Sequence, residues 1–481
     1  MSNGDAIHLG NSTDSGLSSA NLAVVARRPI EHVSSVVDRR VHPWFGRPSW
    51  GALLCAVYPL LAIAPVVGLR VLNRDVDYST ATALGVNCAL VGFTLLSMQF
   101  LLTARLSWIE APFGLDLILR FHRAMAFVIV SLLCIHPVLI ASDQGWRLLT
   151  GLHTPWCIWA GRIALILLLA LVSAALLRSA MQLSYEWWRR AHNVIALAVL
   201  SLGFTHSVTT GEDLQNAVGL ALWTVMPAIA LAAWLYAHAI RPHRLALRAF
   251  RVHSVKLEAP RVWTVTLAAP AGRPFRFLPG QFQFLRLLDS NVPAQEHPFS
   301  IASSASRAQR ISLTIKACGD FTNLIDRIQV GDRATVHGPF GRFSYDLHPD
   351  ESHLVFVAGG VGITPLMSML RAMRDRRQSQ PVTLIYASRE LDDVLFAPEL
   401  VAMERAQCPA LKVIYVLSQP PPWWAGQTGR IDARRLDEWC GGVQDKAFYL
   451  CCPPQMNVQL IRGLWDRGVS PRHIHCDDFS L

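Results

Sequence analysis

Charged residues are scarce in this chain. They make up 16% of its 481 residues, whereas soluble proteins average about 25%. The scarcity is uneven, because residues 50–240 consist mostly of Leu, Ala, Val and Ile, while the part after His243 has an ordinary soluble composition. This distribution excludes a wholly soluble enzyme, a disordered regulator and a fibrous protein. It predicts a membrane domain followed by globular domains.

Cysteine is also sparse, with ten residues and no Cys-x-x-Cys pair. The lack of that spacing argues against a zinc site or a redox dithiol of that type, and we expect the later part of the chain to face a reducing compartment. The net charge of +10 arises from short basic clusters beside the apolar segments, such as Arg39-Arg40 and Arg189-Arg190. Because this is the pattern of the positive-inside rule, we expect a lipid bilayer and no nucleic acid as partner.

Six apolar segments approach the length of about 20 residues that a membrane-spanning helix needs. They cover residues 50–69, 81–104, 117–141, 158–178, 187–209 and 216–240. Residues 1–43 lack the apolar core of a signal peptide, and we expect a flexible cytoplasmic tail there. The arginine-rich loops alternate with arginine-poor ones, which places both termini in the cytoplasm. We therefore predict a multi-pass protein of the plasma (inner) membrane, with its six-helix domain at residues 44–244.

Two of these segments each carry two histidines at the same spacing. His122 and His136 lie 14 residues apart in the third segment, as do His192 and His206 in the fifth. On a helix this spacing puts both side chains on one face, about 21 Å apart along the axis. Because the two helices run in the same direction, His122 comes level with His192, and His136 with His206. Two imidazoles at each level predict two b-type haems, each held from both sides.

Short alternating segments follow the membrane domain and predict an antiparallel β-barrel over residues 245–350. From about Ser352 onward, strands alternate with helices, which predicts an α/β nucleotide-binding domain over residues 351–481. The expected fold class is thus an all-α membrane bundle, then a barrel, then a parallel sheet with helices. No solenoid-type repeat is visible in the sequence.

Motifs in these two domains suit a flavin and a pyrophosphate. In His297-Pro298-Phe299-Ser300, the aromatic ring can pack on a flavin and the hydroxyl can lie near its reactive nitrogen. Lys316, in Leu313–Lys316, and Thr322, in Gly319–Thr322, offer a cation and a hydroxyl to a pyrophosphate. The glycine-rich run Ala358–Pro365 follows a predicted strand and opens a predicted helix, which is the setting of a dinucleotide-binding loop.

In this order and spacing, the soluble motifs resemble the ferredoxin–NADP reductase superfamily. Together with the haem domain, residues 50–481 resemble the ferric reductase and NADPH oxidase family, as a bacterial member. The resemblance implies FAD as the flavin and a nicotinamide dinucleotide as its reductant. The residues implied at FAD are His297, Pro298, Phe299, Ser300, Lys316, Gly319 and Thr322, and those implied at the dinucleotide are Gly360, Gly362, Thr364 and Pro365.

The resemblance also implies catalytic positions. Cys451, which opens Cys451–Pro454, would lie beside the nicotinamide, Phe479 would stack on the flavin, and Ser300 would approach its reactive nitrogen. The chain departs from the family pattern at two places. Cys452 stands where the family has glycine, and two residues follow Phe479. The first departure bears on how closely the backbone approaches the cofactor, and the second on the stacking role of Phe479. A separate alternative is that Cys451 and Cys452 are buried packing residues.

The sequence favours NADPH over NADH as the electron donor. Arg389 follows the second predicted strand of the nucleotide-binding domain, where a cation can pair with the 2′-phosphate, and Arg430 could assist it. Glu390 would oppose such a contact if its side chain pointed inward. NADH therefore stays open as the alternative donor.

The expected function is that of a transmembrane flavocytochrome b. Electrons would pass from cytoplasmic NADPH through FAD and the two haems to an acceptor on the opposite face. Oxygen is the first candidate acceptor, which would make the chain a superoxide-generating NADPH oxidase. The alternatives are a ferric chelate, or a partner protein or quinone that takes delivery of the electrons. The sequence indicates no obligate protein partner.

Overall fold

The computed structural model of the protein describes residues 48–73 and 78–477. In that part of the chain, six helices are long and apolar enough to cross a membrane. An antiparallel sheet and then a parallel sheet follow them. The fold class predicted from the sequence is thereby confirmed. The predicted tail of residues 1–43 and the predicted stacking residue Phe479 lie outside the described residues.

Each long helix of the membrane domain begins within two residues of its predicted start. The domain contains α1 (Pro48–Leu72), α2 (Thr80–Thr103), α3 (Ser107–Phe113), α4 (Leu115–Gln144), α5 (Arg147–Thr150), α6 (Trp156–Leu177), α7 (Tyr185–Thr210) and α8 (Ala217–Leu235). A π-helical turn, Tyr236–Ile240, continues α8 into α9 (Arg241–Ala246). The last membrane helix is therefore longer than its apolar run.

Helix α2 lies at the centre of the bundle, where α1, α4, α7 and α8 pack around it. Its side chains Leu90 and Phe93 join Ile129 of α4, Val199 of α7 and Trp223 of α8 in one buried cluster. The peripheral helices instead leave large apolar side chains exposed on their outer surfaces. In water such a surface would be unfavourable, but a bilayer accommodates it.

The second domain is a closed antiparallel barrel. Its strands are β1 (Phe250–Ala259), β2 (Val262–Ala268), β3 (Phe282–Leu287), β4 (His297–Ser300), β5 (Arg310–Lys316) and β6 (Arg333–Phe340), in the order β4-β3-β6-β1-β2-β5. An isolated bridge between Ile301, directly after β4, and Leu313 of β5 links the two ends of the sheet. Closure removes the exposed edges of the sheet and places β4 beside β5.

The third domain is a parallel sheet with helices. It comprises β7 (Leu354–Gly359), α10 (Ile363–Asp375), β8 (Pro381–Ser388), α11 (Ala397–Ala406), β9 (Ala410–Leu417), β10 (Gln427–Thr428), α12 (Ala433–Cys440), β11 (Ala447–Cys451), α13 (Pro454–Trp465) and β12 (Ile474–Cys476). The strand order β10-β9-β8-β7-β11-β12 reverses between β7 and β11. Ligands of such sheets bind at the carboxyl ends of the strands beside this reversal. The short strands β10 and β12 were not predicted.

Candidate electron-transfer site

The four membrane histidines form two pairs between α4 and α7. The ring centres of His122 and His192 lie 6.4 Å apart, and those of His136 and His206 lie 6.3 Å apart. An iron bonded to two opposite imidazoles at about 2 Å from each nitrogen would place the ring centres about 6 Å apart. The residues present therefore fit an iron between the rings of each pair.

Hydrogen bonds orient the rings of His136 and His206, the pair farther from the barrel, which we call the outer pair. Nδ1 of His136 lies 2.9 Å from the carbonyl oxygen of Gly85, and Nδ1 of His206 lies 2.8 Å from that of Cys157. If Nδ1 of each ring carries the proton, it donates a hydrogen bond to the carbonyl oxygen, and Nε2 is left as the ligand atom. Such contacts commonly fix the tautomer and orientation of metal-binding histidines.

The pair nearer the barrel, His122 and His192, which we call the inner pair, has a different environment. Nδ1 of each ring is buried and has no hydrogen-bond partner among the described residues. The ring of Trp188, one turn earlier on α7, lies 5.2 Å from that of His192. A buried polar atom without a partner costs free energy. Because no backbone hydrogen bond orients these two rings, packing holds them in place.

A glycine makes room for the outer pair. At Gly161 of α6, an added Cβ would lie 2.9 Å from three atoms of the His206 ring. Carbon atoms do not approach a ring that closely without displacing it. The absence of a side chain at this position therefore lets α6 pack directly against His206, a requirement that the histidine spacing does not reveal.

The flavin motif occupies β4, beside β3 and at the seam of the barrel. The Ser300 side chain is buried, and its Oγ has no hydrogen-bond partner among the described residues. His297 stacks on Phe321 with ring centres 4.2 Å apart, while Phe299 lies 6.2 Å from the same ring. Pro298 pairs with Phe284 of β3 and is half-buried. A hydroxyl without a partner next to aromatic rings fits the demands of a flavin.

The predicted pyrophosphate residues lie close to this motif. Lys316 ends β5 with an exposed side chain, and Gly319 follows in an exposed turn. Oγ1 of Thr322 accepts hydrogen bonds from the backbone amides of Cys318 and Gly319, at 2.9 and 2.8 Å. The hydroxyl of Thr322 therefore shapes the turn, whose amides and neighbouring lysine are the groups that an anion would meet.

A partly buried ion pair joins the flavin motif to the membrane domain. Nη1 of Arg105, which follows α2, donates to Oε2 of Glu296 at 2.8 Å. Glu296 directly precedes β4, and its other carboxylate oxygen lies 3.7 Å from Nδ1 of His337. The guanidinium of Arg105 also lies over the ring of Phe284, 3.7 Å from its centre. These contacts connect the C-terminal end of α2 to the strand that carries Ser300.

The charge on Glu296 is strongly favoured. Burial would raise the pKa of this carboxyl, but the neighbouring His337 and the charge of Arg105 outweigh burial and hold the pKa below its usual range. Burial also lowers the pKa of His337 to about 4. At neutral pH the cluster therefore contains an ionised carboxylate, a guanidinium and a neutral imidazole.

A second set of contacts strengthens this connection between the barrel and the membrane domain, which we call the joint. Oε1 of Glu110, in α3, accepts a hydrogen bond from the amide of Gly341 at 3.1 Å, and Nη1 of Arg342 donates to the carbonyl of Ala111 at 3.0 Å. Burial raises the pKa of Glu110 to about 7, against the opposing effects of the Gly341 amide and Arg342. Leu115 of α4 packs with aromatic rings of β3 and β6 alongside. Sequence reasoning missed Glu110, Arg105 and Glu296, because only the tertiary structure brings them to the barrel.

The glycine-rich loop lies between β7 and α10, against the end of β11. Gly360 has φ +54°, which favours glycine. At Gly362 an added Cβ would lie 2.0 Å from the carbonyl oxygen of Cys451. Thr364 donates from Oγ1 to the carbonyl of Val361 at 2.7 Å, and Pro365 follows it, buried, in the first turn of α10. Glycine at position 362 is thus required for the loop to pack on β11.

The two adjacent cysteines face different surroundings. Cys451 ends β11 next to the glycine-rich loop and is fully buried. The thiol of Cys452 lies 3.4 Å from the carbonyl oxygen of Val357 on β7, to which it donates, and burial raises the pKa of this thiol to about 12. Cys452 is therefore an inert packing residue. Cys451 is the cysteine that the structure places at the loop.

The two arginines predicted to select NADPH lie at the same end of the sheet. Arg389 follows β8 and Arg430 follows β10, with β9 between these strands. Both side chains are exposed, and Arg389 pairs with Glu390 at 3.3 Å. Because the pair is exposed, the guanidinium of Arg389 can exchange this partner for a phosphate at little cost.

Three family models match separate parts of the chain. The ferric reductase like transmembrane component matches residues 88–203, the FAD-binding domain matches residues 247–343, and the oxidoreductase NAD-binding domain matches residues 356–460. The matches follow one another in the order of the membrane bundle, the barrel and the parallel sheet.

Individual proteins are similar to less than half of the chain. The chain is 31% identical over 214 residues to the sulfhydrogenase 2 subunit gamma of Pyrococcus furiosus, covering 42% of this chain and 71% of that protein. It is 32% identical over 179 residues to the NADH-cytochrome b5 reductase 1 of Arabidopsis thaliana, covering 36% of this chain and 63% of that protein. The Amycolatopsis cytochrome P450 reductase GcoB superposes with a TM-score of 0.43 at 26% identity, over 48% of this chain and 69% of that one.

Proposed function

The chain belongs to the ferric reductase and NADPH oxidase family, and we propose that it transfers electrons from cytoplasmic NADPH across the membrane to oxygen. One NADPH supplies two electrons, which reduce two oxygen molecules to two superoxide ions and leave NADP⁺ and one proton. The two imidazole pairs between α4 and α7, at 6.4 and 6.3 Å, are the observation that carries this proposal.

Each histidine pair has a separate part in this scheme. His122 and His192 would hold the haem nearer the barrel, and His136 and His206 the haem nearer the opposite face. FAD supplies the conversion of a hydride into single electrons, and haem iron supplies one-electron transfer. Each iron would be held by the two histidines of its pair, so an acceptor would take its electron without binding to the metal.

The soluble residues would hold the flavin and the dinucleotide. The buried hydroxyl of Ser300 offers a hydrogen bond to the flavin ring, and His297, Pro298 and Phe299 line its surface. Lys316 and the turn at Gly319 and Thr322 would meet the FAD pyrophosphate. In the nucleotide-binding domain, the loop at Gly360 and Gly362 would receive the dinucleotide phosphates, with Thr364 and Pro365 in the first turn of the helix that follows.

Three further residues would govern hydride transfer and donor choice. Cys451, at the end of β11, would border the nicotinamide, and Phe479 would cover the flavin face that the nicotinamide reaches. Arg389, assisted by Arg430, would bind the 2′-phosphate and so favour NADPH over NADH.

The contacts of the joint support a cytoplasmic position for both soluble domains. The barrel meets the membrane domain at Arg105 and Glu110, between α2 and α4. This connection lies on the arginine-rich side of the bundle, which the positive-inside rule assigns to the cytoplasm. We propose that both termini lie on that side of the plasma (inner) membrane.

Engaged carboxylates on the opposite face support oxygen over a cationic iron chelate as the acceptor. Asp143 accepts hydrogen bonds from the hydroxyls of Ser79 and Thr82, both at 2.6 Å. Asp213 is buried and lies 3.9 Å from Arg70. The hydroxyls hold the Asp143 carboxylate in place, and Arg70 offsets part of the charge of Asp213, which reduces the attraction of Asp213 for a positively charged complex.

A two-acceptor assay tests this proposal. Purified protein with FAD and haem receives NADPH in air, and superoxide is measured as the part of cytochrome c reduction that superoxide dismutase abolishes. Reduction of a ferric chelate is measured separately without oxygen, so that superoxide cannot reduce the chelate indirectly. We expect superoxide formation to exceed anaerobic chelate reduction by at least about tenfold in kcat/KM.

The same assay identifies the alternatives. Faster anaerobic reduction of the chelate would make the protein a ferric-chelate reductase. Rapid haem reduction with slow transfer to both acceptors would instead favour delivery to a partner protein or quinone. The variant His206→Ala controls for leakage, because electrons that leave directly from the flavin will not depend on this residue.

A further inference from the structure

Two histidines and a glutamate meet beside the last strand of the parallel sheet. His348 and Glu351 lie in the segment between the barrel and β7, and His475 lies in β12. Their potential ligand atoms all lie within 4.8 Å of one another. None of these three residues belongs to the histidine pairs, the flavin motif or the glycine-rich loop.

The carboxylate of Glu351 is held from two sides. One oxygen, Oε1, lies 2.7 Å from Nε2 of His475, and the other, Oε2, accepts a hydrogen bond from the hydroxyl of Tyr449 at 2.7 Å. The ring of His348 lies 4.0 Å from that of His475. Among the described residues, the ring nitrogens of His348 have no hydrogen-bond partner. Its imidazole is therefore available as a ligand.

We propose that His348, Glu351 and His475 bind a divalent transition-metal ion, with zinc as the best match. Two imidazole nitrogens and one carboxylate oxygen are a ligand set that zinc accepts, with water in the fourth position. Tyr449 would orient the carboxylate from behind, as outer residues do in many metal sites.

Binding requires only a small rearrangement of the rings. Two imidazoles on one tetrahedral zinc have ring centres about 5 Å apart, given zinc–nitrogen bonds of about 2.0 Å. The present separation of 4.0 Å must therefore increase by about 1 Å. His348 follows a short helical turn and is half-buried, so its side chain has room to rotate.

The ion would connect segments that are distant in the sequence. Glu351 lies three residues before β7, whereas β12 is the last strand and pairs with β11. The Leu450–Cys476 pair brings β12 next to the end of β11, where Cys451 meets the glycine-rich loop. Zinc would thus clamp β12 to the rest of the nucleotide-binding domain without taking part in electron transfer.

Zinc content under controlled free zinc tests this inference. The full chain in detergent is stripped with a chelator and equilibrated with zinc buffered at micromolar free concentration. Mass spectrometry then gives the zinc bound per chain, which haem iron does not disturb. We expect one zinc per chain, a loss of affinity of more than tenfold in His348→Ala and His475→Ala, and a smaller loss in Tyr449→Phe. The control is His253→Ala, because His253 is an exposed histidine of β1.

Two results would overturn the inference. One is a wild-type protein that takes up no zinc at these concentrations, and the other is equal binding by wild type and His348→Ala. If His475→Ala does not fold, His348→Ala alone decides, because its half-buried side chain makes no hydrogen bond whose loss would unfold the domain. Thermal unfolding with and without zinc gives a second readout: zinc should stabilise the wild type and the His253→Ala control, but not His348→Ala.

Discussion

The ion pair between Arg105 and Glu296 is expected to hold β4, the strand of the flavin motif, in position for electron transfer to the membrane domain. The pair is 2.8 Å long, and both side chains are about one-fifth exposed, at 18% and 20%. The substitution Glu296→Gln keeps the shape of the side chain but removes its charge. The guanidinium of Arg105 then faces a neutral amide in a mostly buried position. There, the loss of an ionic hydrogen bond costs more free energy than it would on the surface.

The size of the effect follows from the strength of such contacts. A hydrogen bond to a charged partner contributes about 1.5–3 kcal/mol, and each 1.4 kcal/mol corresponds to about a factor of ten. The ratio of docked to undocked barrel should therefore fall by about 10- to 150-fold. Reduction of the flavin by NADPH should be unchanged, because Glu296 lies on the membrane side of the flavin motif.

Stopped-flow spectroscopy separates the two steps. Flavin bleaching reports hydride transfer, and the haem absorbance reports the later arrival of electrons in the membrane domain. We expect Glu296→Gln to slow only the haem phase. The matched control is Glu258→Gln, which breaks the Lys256–Glu258 pair of the same 2.8 Å length, with Lys256 70% exposed. Haem reduction at the wild-type rate in Glu296→Gln would refute the reasoning.

The remaining predictions concern the joint, the outer histidine pair and the nucleotide. In the folded protein the pKa of Glu110 is raised from 4.5 to about 7. Protonated Glu110 therefore stabilises the joint fully below pH 4.5, and this stabilisation is lost as the pH rises through 7. Haem reduction should thus slow between about pH 6 and pH 8, and Glu110→Gln should abolish this dependence; an unchanged profile would contradict the assignment. Gly161→Ala should displace His206, destabilise the bundle by about 1–3 kcal/mol and lower the haem content from two toward one, whereas two intact haem spectra would show that the helices adjust. Arg389→Ala should raise the KM for NADPH about tenfold or more relative to NADH, and an unchanged ratio of the two KM values would reject the 2′-phosphate contact.

Much of the architecture could be predicted because it depends on local patterns. Long apolar runs require membrane-spanning helices, since every backbone polar group in a bilayer must find an internal partner. Alternating and buried strands likewise distinguish the barrel from the parallel sheet. The spacing that places His122 level with His192 is a property of helix geometry, and the structure brings these two rings together.

Other features of the site follow from contacts between distant parts of the chain. The sequence separates Arg105 from Glu296 by 191 residues, and no local period connects them. The same holds for Gly161 and His206, where the requirement for glycine arises from the close packing of α6 on α7. The short strands β10 and β12 contain two and three residues, too few for a periodic pattern, and they form only because a neighbouring strand offers its edge.

The sequence by itself determined the number of membrane helices, the order of the three domains and the residue types suited to haem, flavin and dinucleotide. These depend on composition and on periods of a few residues, which a single chain displays directly. Only the tertiary structure decided that Glu296 and Glu110 connect the barrel to the bundle, that Cys452 is a core residue, and that His348, Glu351 and His475 converge. The physical reason is that burial and pairing depend on which surfaces come into contact when the chain folds. Local sequence patterns do not indicate such contacts between residues far apart in the sequence.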